Sequence, residues 1–249
     1  MSGMSTDTDN QKLDLPPGFR AITVREYRDA FADAQVLAAD EGAGTLIWVR
    51  RFDTVEAAVV LEPEMPLAAA RLALYAGMNA AADALGQYCP PEKPLEFTWP
   101  DTILLDGGII GGCRLAWTPG TAETDIPDWL VLGVFIRCTV QMSALRTFDK
   151  GTSLETEGFE IMDGKHILES FTRHLLAGFD GWQSAGPKAM SERYLGRLTA
   201  AKGVKRGLDV NGDLLTRKLP TLKEVTRQPL TAALAVPLWL DPATGEPWL

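Results

Sequence analysis

The sequence predicts an α+β protein that ends in a small β-rich segment. Short apolar stretches, separated by glycine or proline turns, dominate residues 45–61 and 95–140 and are typical of strands. Two stretches with helical periodicity follow the second of these, and Asn211-Gly212 near the end is a strong hairpin signal. Runs of strands followed by helices and a hairpin indicate segregated helices and strands rather than a regular βαβ alternation.

The elements follow from local patterns. Apolar residues at helical spacing predict an amphipathic helix over residues 25–39, and Pro66 begins an alanine-rich helix that ends before Gly86. Two more helices are predicted over residues 167–179 and 188–201. Strands are predicted over residues 45–50, 57–61, 95–99, 103–105, 114–117, 129–140 and, at the end of the chain, 234–240.

Composition bounds the class of protein. The chain has 249 residues, of which 46% are hydrophobic and 23% charged, so it can bury a sizeable core. No apolar run approaches the roughly 18 to 20 residues of a membrane span, and the polar start is not a signal peptide, so we expect a cytoplasmic protein without a membrane partner. The three cysteines form no CxxC pair, which predicts neither a disulfide framework nor a metal site.

The charge is unevenly distributed. A net charge of -9 argues against a nucleic-acid partner. Between residues 188 and 227, however, ten basic residues stand against four acidic ones, a local net charge of +6. This segment is either a solvated helix face followed by a hairpin or a docking surface for an acidic macromolecule.

Two motifs point to a family. Residues 97–112 read FTWPDTILLDGGIIGG, and residues 132–136 read LGVFI. In order and spacing this resembles the biotin and lipoate protein ligases, in which Lys-Trp-Pro-Asn-Asp precedes an apolar strand, a tight turn, Lys-Leu-Ala-Gly-Ile, and a later strand of the type Ile-Gly-Ile-Gly-Ile-Asn. The layout from residue 25 to about 201 is similar.

The resemblance implies a fold, a domain division and a chemistry. The fold would be the mixed sheet flanked by helices of the class II synthetases and biotin protein ligases. Residues 1–12 would be a disordered tail, 13–205 a ligase-like catalytic domain and 206–249 a small β-rich domain. ATP and biotin, lipoate or octanoate would be substrates, and the lysine of an acidic lipoyl- or biotinyl-carrier domain would attack the acyl-adenylate.

The chain departs from the family pattern where that chemistry needs charge. Thr98 and Ile109 stand at the two lysine positions, and Asp101-Thr102 replaces Asn-Asp. The glycine- and arginine-rich loop that folds over the adenylate is represented by Gly42, Gly44 and the pair Arg50-Arg51 alone. Each change removes positive charge or alters a hydrogen-bonding group.

These comparisons yield a candidate ligand site without an assigned catalytic residue. We expect Trp99, Asp101, Gly111 and Gly112 to border the pocket. Arg50, Arg51 and Arg114 are candidate anion contacts, although the first two also suit a solvent-facing strand end.

Two further residue types are weaker candidates. Cys113 and Cys138 are either acyl acceptors or buried structural residues, and the second interpretation is favoured because no histidine is near them in sequence. His166 and His174 suit an ordinary helix face rather than a metal site.

The sequence therefore leads to two hypotheses. In the first, the protein binds an acyl carboxylate or its activated ester and transfers it to a carrier lysine. In the second, it is a catalytically silent ligand- or carrier-binding protein of the same fold.

Overall fold

A seven-stranded mixed sheet forms the centre of the protein. A computed structural model describes residues 12–139, 150–160, 163–220, 224–245 and 247. The strand order is β1-β2-β3-β7-β6-β5-β4, with β1 parallel to β2 and every other neighbouring pair antiparallel. The strands are β1 (Arg20–Val24), β2 (Thr45–Arg50), β3 (Thr54–Leu61), β4 (Leu95–Thr98), β5 (Thr102–Leu105), β6 (Gly108–Trp117) and β7 (Leu130–Arg137).

Helices cover the two faces of this sheet unequally. Helix α1 (Ala30–Glu41) packs its alanines on Ile47, Val49, Ala58 and Val60, and we call this side the α1 face. The opposite face carries the larger core, which includes residues of α3, α4 and α5. The remaining helices of the main body are α2 (Leu67–Ala70), α3 (Ala73–Gly86), α4 (Gly164–Ala185) and α5 (Lys188–Gly196).

Small side chains explain why α3 lies close to the sheet. Nearly all of its residues are buried, and six of the fourteen, residues 73, 76, 80, 81, 82 and 84, are alanine. A Cβ added at Gly77 would lie 2.8 Å from the side chain of Leu132, so the helix could not approach β7 as closely with a larger residue there. The alanine-rich pattern thus sets the spacing between helix and sheet.

A second, three-stranded sheet follows α5. It consists of β8 (Val204–Leu208), β9 (Leu214–Lys218) and β10 (Val225–Gln228), all antiparallel. The predicted hairpin at Asn211-Gly212 is confirmed, since these residues lie in the turn between β8 and β9 and Gly212 has a positive φ of 84°.

The predicted strand over residues 234–240 is wrong. Helix α6 (Leu230–Leu234) occupies its beginning, and the following residues form no named strand. Pro237 interrupts the run, and Trp239 and Leu240 bury their side chains on the α1 face of the main sheet. We call residues 235–245 the C-terminal segment.

The α+β architecture with a mixed sheet flanked by helices is confirmed. The predicted tail, residues 1–12, falls almost wholly on residues 1–11, which lie outside the described part of the chain. Across the described ranges, no helix has both the length and the hydropathy that a membrane crossing requires.

Candidate functional site on the α1 face of the sheet

A cavity of about 470 Å³ lies between the start of α1, strand β6 and the C-terminal segment. Phe31, Asp101, Arg114 and Leu115 line one side of it. The C-terminal segment and the end of α6 line the other, through residues that include Val236, Leu240 and Asp241. A volume of this size is within the usual range for small-molecule sites, roughly 300 to 1,000 Å³.

Arg114 provides the positive charge of the cavity wall. Its guanidinium group donates two hydrogen bonds of 3.2 Å to the carboxylate of Asp29 and lies 4.7 Å from the ring centroid of Phe31. Asp29 is also the N-cap of α1 and accepts from the backbone N–H groups of Phe31 and Ala32. The capped helix therefore holds Arg114 in place and balances part of its charge.

Asp101 is the buried acid of the cavity, with 1% of its surface exposed. Burial raises its pKa from 3.8 to about 7, although Thr102 donates a 3.0 Å hydrogen bond to Oδ1. The nearby indole N–H of Trp239 also lowers this pKa, although the two groups are not within hydrogen-bond geometry. Asp101 Oδ2 and Trp239 Nε1 are both buried without a hydrogen-bond partner.

The titration of Asp101 should be visible in stability. Because its folded pKa is raised above the unfolded value, its contribution is complete below about pH 4 and is lost as the pH rises to about 7. We expect Asp101→Asn to remove a pH-dependent loss of roughly 2 to 4 kcal/mol in the free energy of unfolding. Urea unfolding between pH 4.5 and 8 measures this, with the exposed Asp180→Asn as control. Equal slopes for the wild type and Asp101→Asn would contradict the assignment.

Trp239 fills the space above Gly112. It is 2% exposed, its ring stacks on Phe135 at 5.8 Å between centroids, and the Arg114 guanidinium lies 5.8 Å from its ring centroid. A Cβ added at Gly112 would lie 2.3 Å from the indole nitrogen and 2.2 Å from the carbonyl oxygen of Asp101. The glycine therefore permits both the tryptophan and the strand to come this close.

Trp239 and Leu240 attach the C-terminal segment to the main sheet. Within the described part of the chain its backbone hydrogen bonds are local, such as those from Val236 to Ala233 and from Gly245 to Asp241. Val236 and Leu238 are exposed, whereas Trp239 and Leu240 are buried against the sheet. Side-chain packing of these two residues thus holds the segment against the α1 face.

Arg50 and Arg51 lie at the β2–β3 turn and not in the lining of the cavity. Arg50 is exposed at the end of β2. Arg51 donates two hydrogen bonds, of 2.9 and 2.8 Å, to the carboxylate of Asp53, which raises the pKa of the arginine and lowers that of the aspartate. Residues 51–53 are the whole connection between β2 and β3, so Arg51 lies in a short turn.

The remaining predicted residues are divided between the two faces. Asp101, Gly112 and Arg114 come together at the cavity or beneath Trp239. Trp99 packs against the larger core on the opposite face and donates a 3.0 Å hydrogen bond to the hydroxyl of Tyr75. Gly111 lies at the irregularity between β5 and β6, against the backbone of Phe135.

The sequence interpretation missed Asp29, Phe31 and Trp239. Asp29 had a detectable signal, since an aspartate before an apolar helical run is a common N-cap. Trp239 had none, because it lies 127 residues from Gly112 and follows a proline in what reads as a strand.

The cysteine and histidine candidates do not join this site. Cys113 and Cys138 are buried, and burial raises the pKa of both thiols, that of Cys138 to about 12, so neither is a thiolate at neutral pH. His166 lies beside Asp163 at the start of α4, and His174 contacts Gln87. No group of three His, Cys, Asp or Glu side chains that could hold a metal ion occurs among the described residues.

The basic segment is partly neutralised. Arg193 and Arg197 both pair with Asp83, and Arg227 pairs with Asp209 and Asp213. Lys205 and Arg217 stand opposite each other on β8 and β9, exposed to solvent. Lys223 lies outside the described residues.

Comparison with known proteins gives a consistent result. Residues 15–196 match the Biotin/lipoate A/B protein ligase family. A biotin--[acetyl-CoA-carboxylase] ligase of Paracoccus denitrificans is 32% identical over 116 residues, which are 46% of this chain and 45% of that protein. The chain thus matches less than half the length of this curated relative.

Solved structures share the fold. A biotin protein ligase-like protein of unknown function from Silicibacter sp. TM1040 aligns with a TM-score of 0.78 and 24% identity, covering 89% of this chain and 98% of the other. The biotin protein ligase of Aquifex aeolicus aligns with a TM-score of 0.65 and 15% identity, covering 84% and 95%. The same enzyme in complex with biotin and ATP aligns at 0.62 and 15%, covering 83% and 94%.

Proposed function

This chain belongs to the Biotin/lipoate A/B protein ligase family, and we propose that it binds an acyl carboxylate or its activated ester in the cavity on the α1 face. The observation that carries the proposal is the cavity wall, where the cation of Arg114 lies near the buried acid Asp101. Asp29 is shared between Arg114 and two backbone N–H groups of α1, so it balances only part of the arginine's charge, and Arg114 can attract a carboxylate. Protonated Asp101 can donate to a ligand oxygen below about pH 7.

Two buried polar atoms without a hydrogen-bond partner at this site favour a polar ligand. A buried polar atom without a hydrogen bond costs about 1 to 3 kcal/mol, and Asp101 Oδ2 and Trp239 Nε1 are two such atoms near one another. A ligand oxygen could accept from the indole and from protonated Asp101 together. Biotin is the first ligand to test, since it occurs in a solved relative of the same fold.

Transfer of the bound acyl group to a carrier lysine is the reaction expected of a family member. It would proceed from an acyl-adenylate that is already formed: the lysine amine forms an amide with the acyl carbon and loses a proton, and AMP leaves. Asp53 balances the charge of Arg51 at the short β2–β3 turn, so this arginine is not free to support formation of the adenylate. The same charge pairing favours the second candidate, a catalytically silent binding protein. No lysine lines the cavity among the described residues.

An acidic lipoyl- or biotinyl-carrier domain is the partner that the exposed basic residues would suit. Like charges placed directly opposite one another on a sheet destabilise it, and Lys205 and Arg217 form such a pair on β8 and β9. An acidic partner surface would relieve this repulsion.

Ligand binding can be tested with Arg114→Gln. We expect one of biotin, lipoate, octanoate or their adenylates to raise the Tm of the wild type, by an amount equivalent to about 2.7 kcal/mol at a ligand concentration 100 times the Kd. Loss of the charged hydrogen bonds in Arg114→Gln should weaken binding tenfold or more. Calorimetric titration gives the Kd values, and Arg50→Gln, which removes an exposed arginine away from the cavity, is the matched control.

Equal loss of affinity in both variants would show a nonspecific charge effect and contradict the proposed site. Absence of binding by all these ligands would contradict the proposed ligand class. If binding holds, incubating the adenylate with a lysine-bearing carrier domain separates transfer from silent binding.

A further inference from the structure

Arg137 is a buried arginine for which the described structure contains no counter-charge. It ends β7 and is 7% exposed. No hydrogen bond or ion pair of its side chain occurs among the described residues, and its Nε is fully buried without a partner. An unpaired buried charge is costly, and arginines in such places are normally paired with carboxylates or other anions.

A second unpartnered group lies next to it. Thr54 on β3 stands directly opposite Arg137 on β7, so the two side chains share one face of the sheet. The hydroxyl oxygen of Thr54 is buried and has no hydrogen-bond partner. A guanidinium group and a hydroxyl on neighbouring strands can bind the same oxyanion.

The nearby carboxylates are engaged elsewhere. Glu56, two residues from Thr54 on the same face, accepts a 3.0 Å hydrogen bond from the N–H of Ala30. Asp53 is held by Arg51. Burial is the one cause that shifts the pKa of Arg137, which it lowers, and no acidic side chain raises it.

Strand alternation relates this pair to the cavity. Arg137 lies on the same face as Phe135 and Gly133, which stands opposite Arg114. Gly133 and Arg137 are four residues apart on β7, a distance of about 13 Å along the strand. The stacked rings of Phe135 and Trp239 lie between these two positions.

We propose that Arg137 and Thr54 form a second subsite on the α1 face, which binds an oxyanion such as free phosphate or the phosphoryl group of an activated ester. The ester alternative rests on the proposed function, whereas binding of free phosphate does not. In this subsite an arginine of β7 supplies positive charge in a chain that has Thr98 and Ile109 at the family's lysine positions.

Phosphate binding by the full chain is the test. We expect potassium phosphate and pyrophosphate to raise the Tm relative to potassium chloride at equal ionic strength. Arg137→Met should weaken phosphate binding about tenfold or more, and Thr54→Val, which replaces only the hydroxyl, about threefold. Arg137→Met should also not lower the Tm in chloride, because it removes an unpaired buried charge.

Two control variants separate specific binding at this subsite from a general effect of charge. Arg50→Met should keep the phosphate response, and Arg137→Lys should keep part of it, since lysine retains the charge without the planar fork. The proposal is overturned if the wild type shows no phosphate-specific response, or if Arg137→Met and Thr54→Val respond as the wild type does. It is equally overturned if Arg50→Met loses the response to the same degree.

The outcome is independent of the acyl ligand. Binding of octanoate without binding of phosphate would leave the proposed function standing and remove the second subsite. Binding of phosphate without binding of any acyl ligand would support the second subsite and contradict the proposed function. If an acyl-adenylate binds, Arg137→Met should weaken it more than it weakens octanoate.

Discussion

Biotin- or lipoate-dependent exchange of pyrophosphate into ATP is expected to run at least about a hundredfold more slowly than in an adenylating relative. Adenylation holds a carboxylate against an α-phosphate while a third anion departs, so it depends on fixed cations. Removing one such donor commonly costs about 3 kcal/mol, and Thr98 and Ile109 replace two lysines of the family pattern. Arg51 does not compensate freely, because its Nε and Nη2 groups both donate to the carboxylate of Asp53, which balances its charge.

Radiolabelled pyrophosphate exchange measures this rate directly, with the Aquifex aeolicus enzyme as positive control. Ile109→Lys should raise the exchange rate only if the new ammonium group reaches the bound carboxylate or phosphate. Ile109 is buried in a cluster with Leu104, Phe135 and Trp239, so Ile109→Lys combined with Trp239→Ala is the more informative variant. Robust exchange by the native protein that is insensitive to Arg50→Ala and Arg51→Ala would show that another residue supplies the charge.

The fold was predictable because local patterns and the packing of the core agree. The strand expected over residues 45–50 is β2, five of whose six residues are buried. The Asn-Gly turn was likewise specified locally, by backbone conformation. The alanine-rich helix predicted from Pro66 is divided in the structure into α2 and α3, and α3 includes Gly86. Strands β1 and β10 were missed because β1 follows a polar start and all four residues of β10 are exposed.

The candidate site was less predictable because it depends on contacts between distant segments. The family pattern identified Asp101, Gly112 and Arg114, since their positions are fixed by adjacent strands. It could not indicate that Asp53 binds Arg51, or that a tryptophan of the C-terminal segment covers Gly112. The apolar run over residues 234–240 suited a strand, whereas in the structure α6 occupies its beginning and Trp239 packs against Phe135.

Gly111→Ala is expected to destabilise the protein by about 4 kcal/mol or more, a large part of the usual 5 to 15 kcal/mol. Gly111 has a φ of +150°, which other residues rarely adopt. A Cβ there would lie 2.0 Å from the carbonyl oxygen of Phe135 and 3.1 Å from the Cα of Ile136. Because these atoms are backbone of the neighbouring strand, the clash can be relieved only by separating β6 from β7.

Urea unfolding gives the size of this effect, and Gly107→Ala separates its two causes. Gly107 also has a positive φ, of 83°, but a Cβ there would meet nothing within 4 Å. Its replacement should therefore cost only the backbone strain, about 1 to 2 kcal/mol. Similar losses for the two variants would mean that β6 and β7 can move apart cheaply at Gly111. In that case β6 and β7 would not hold Arg114 and Arg137 in fixed positions, as both proposed subsites require.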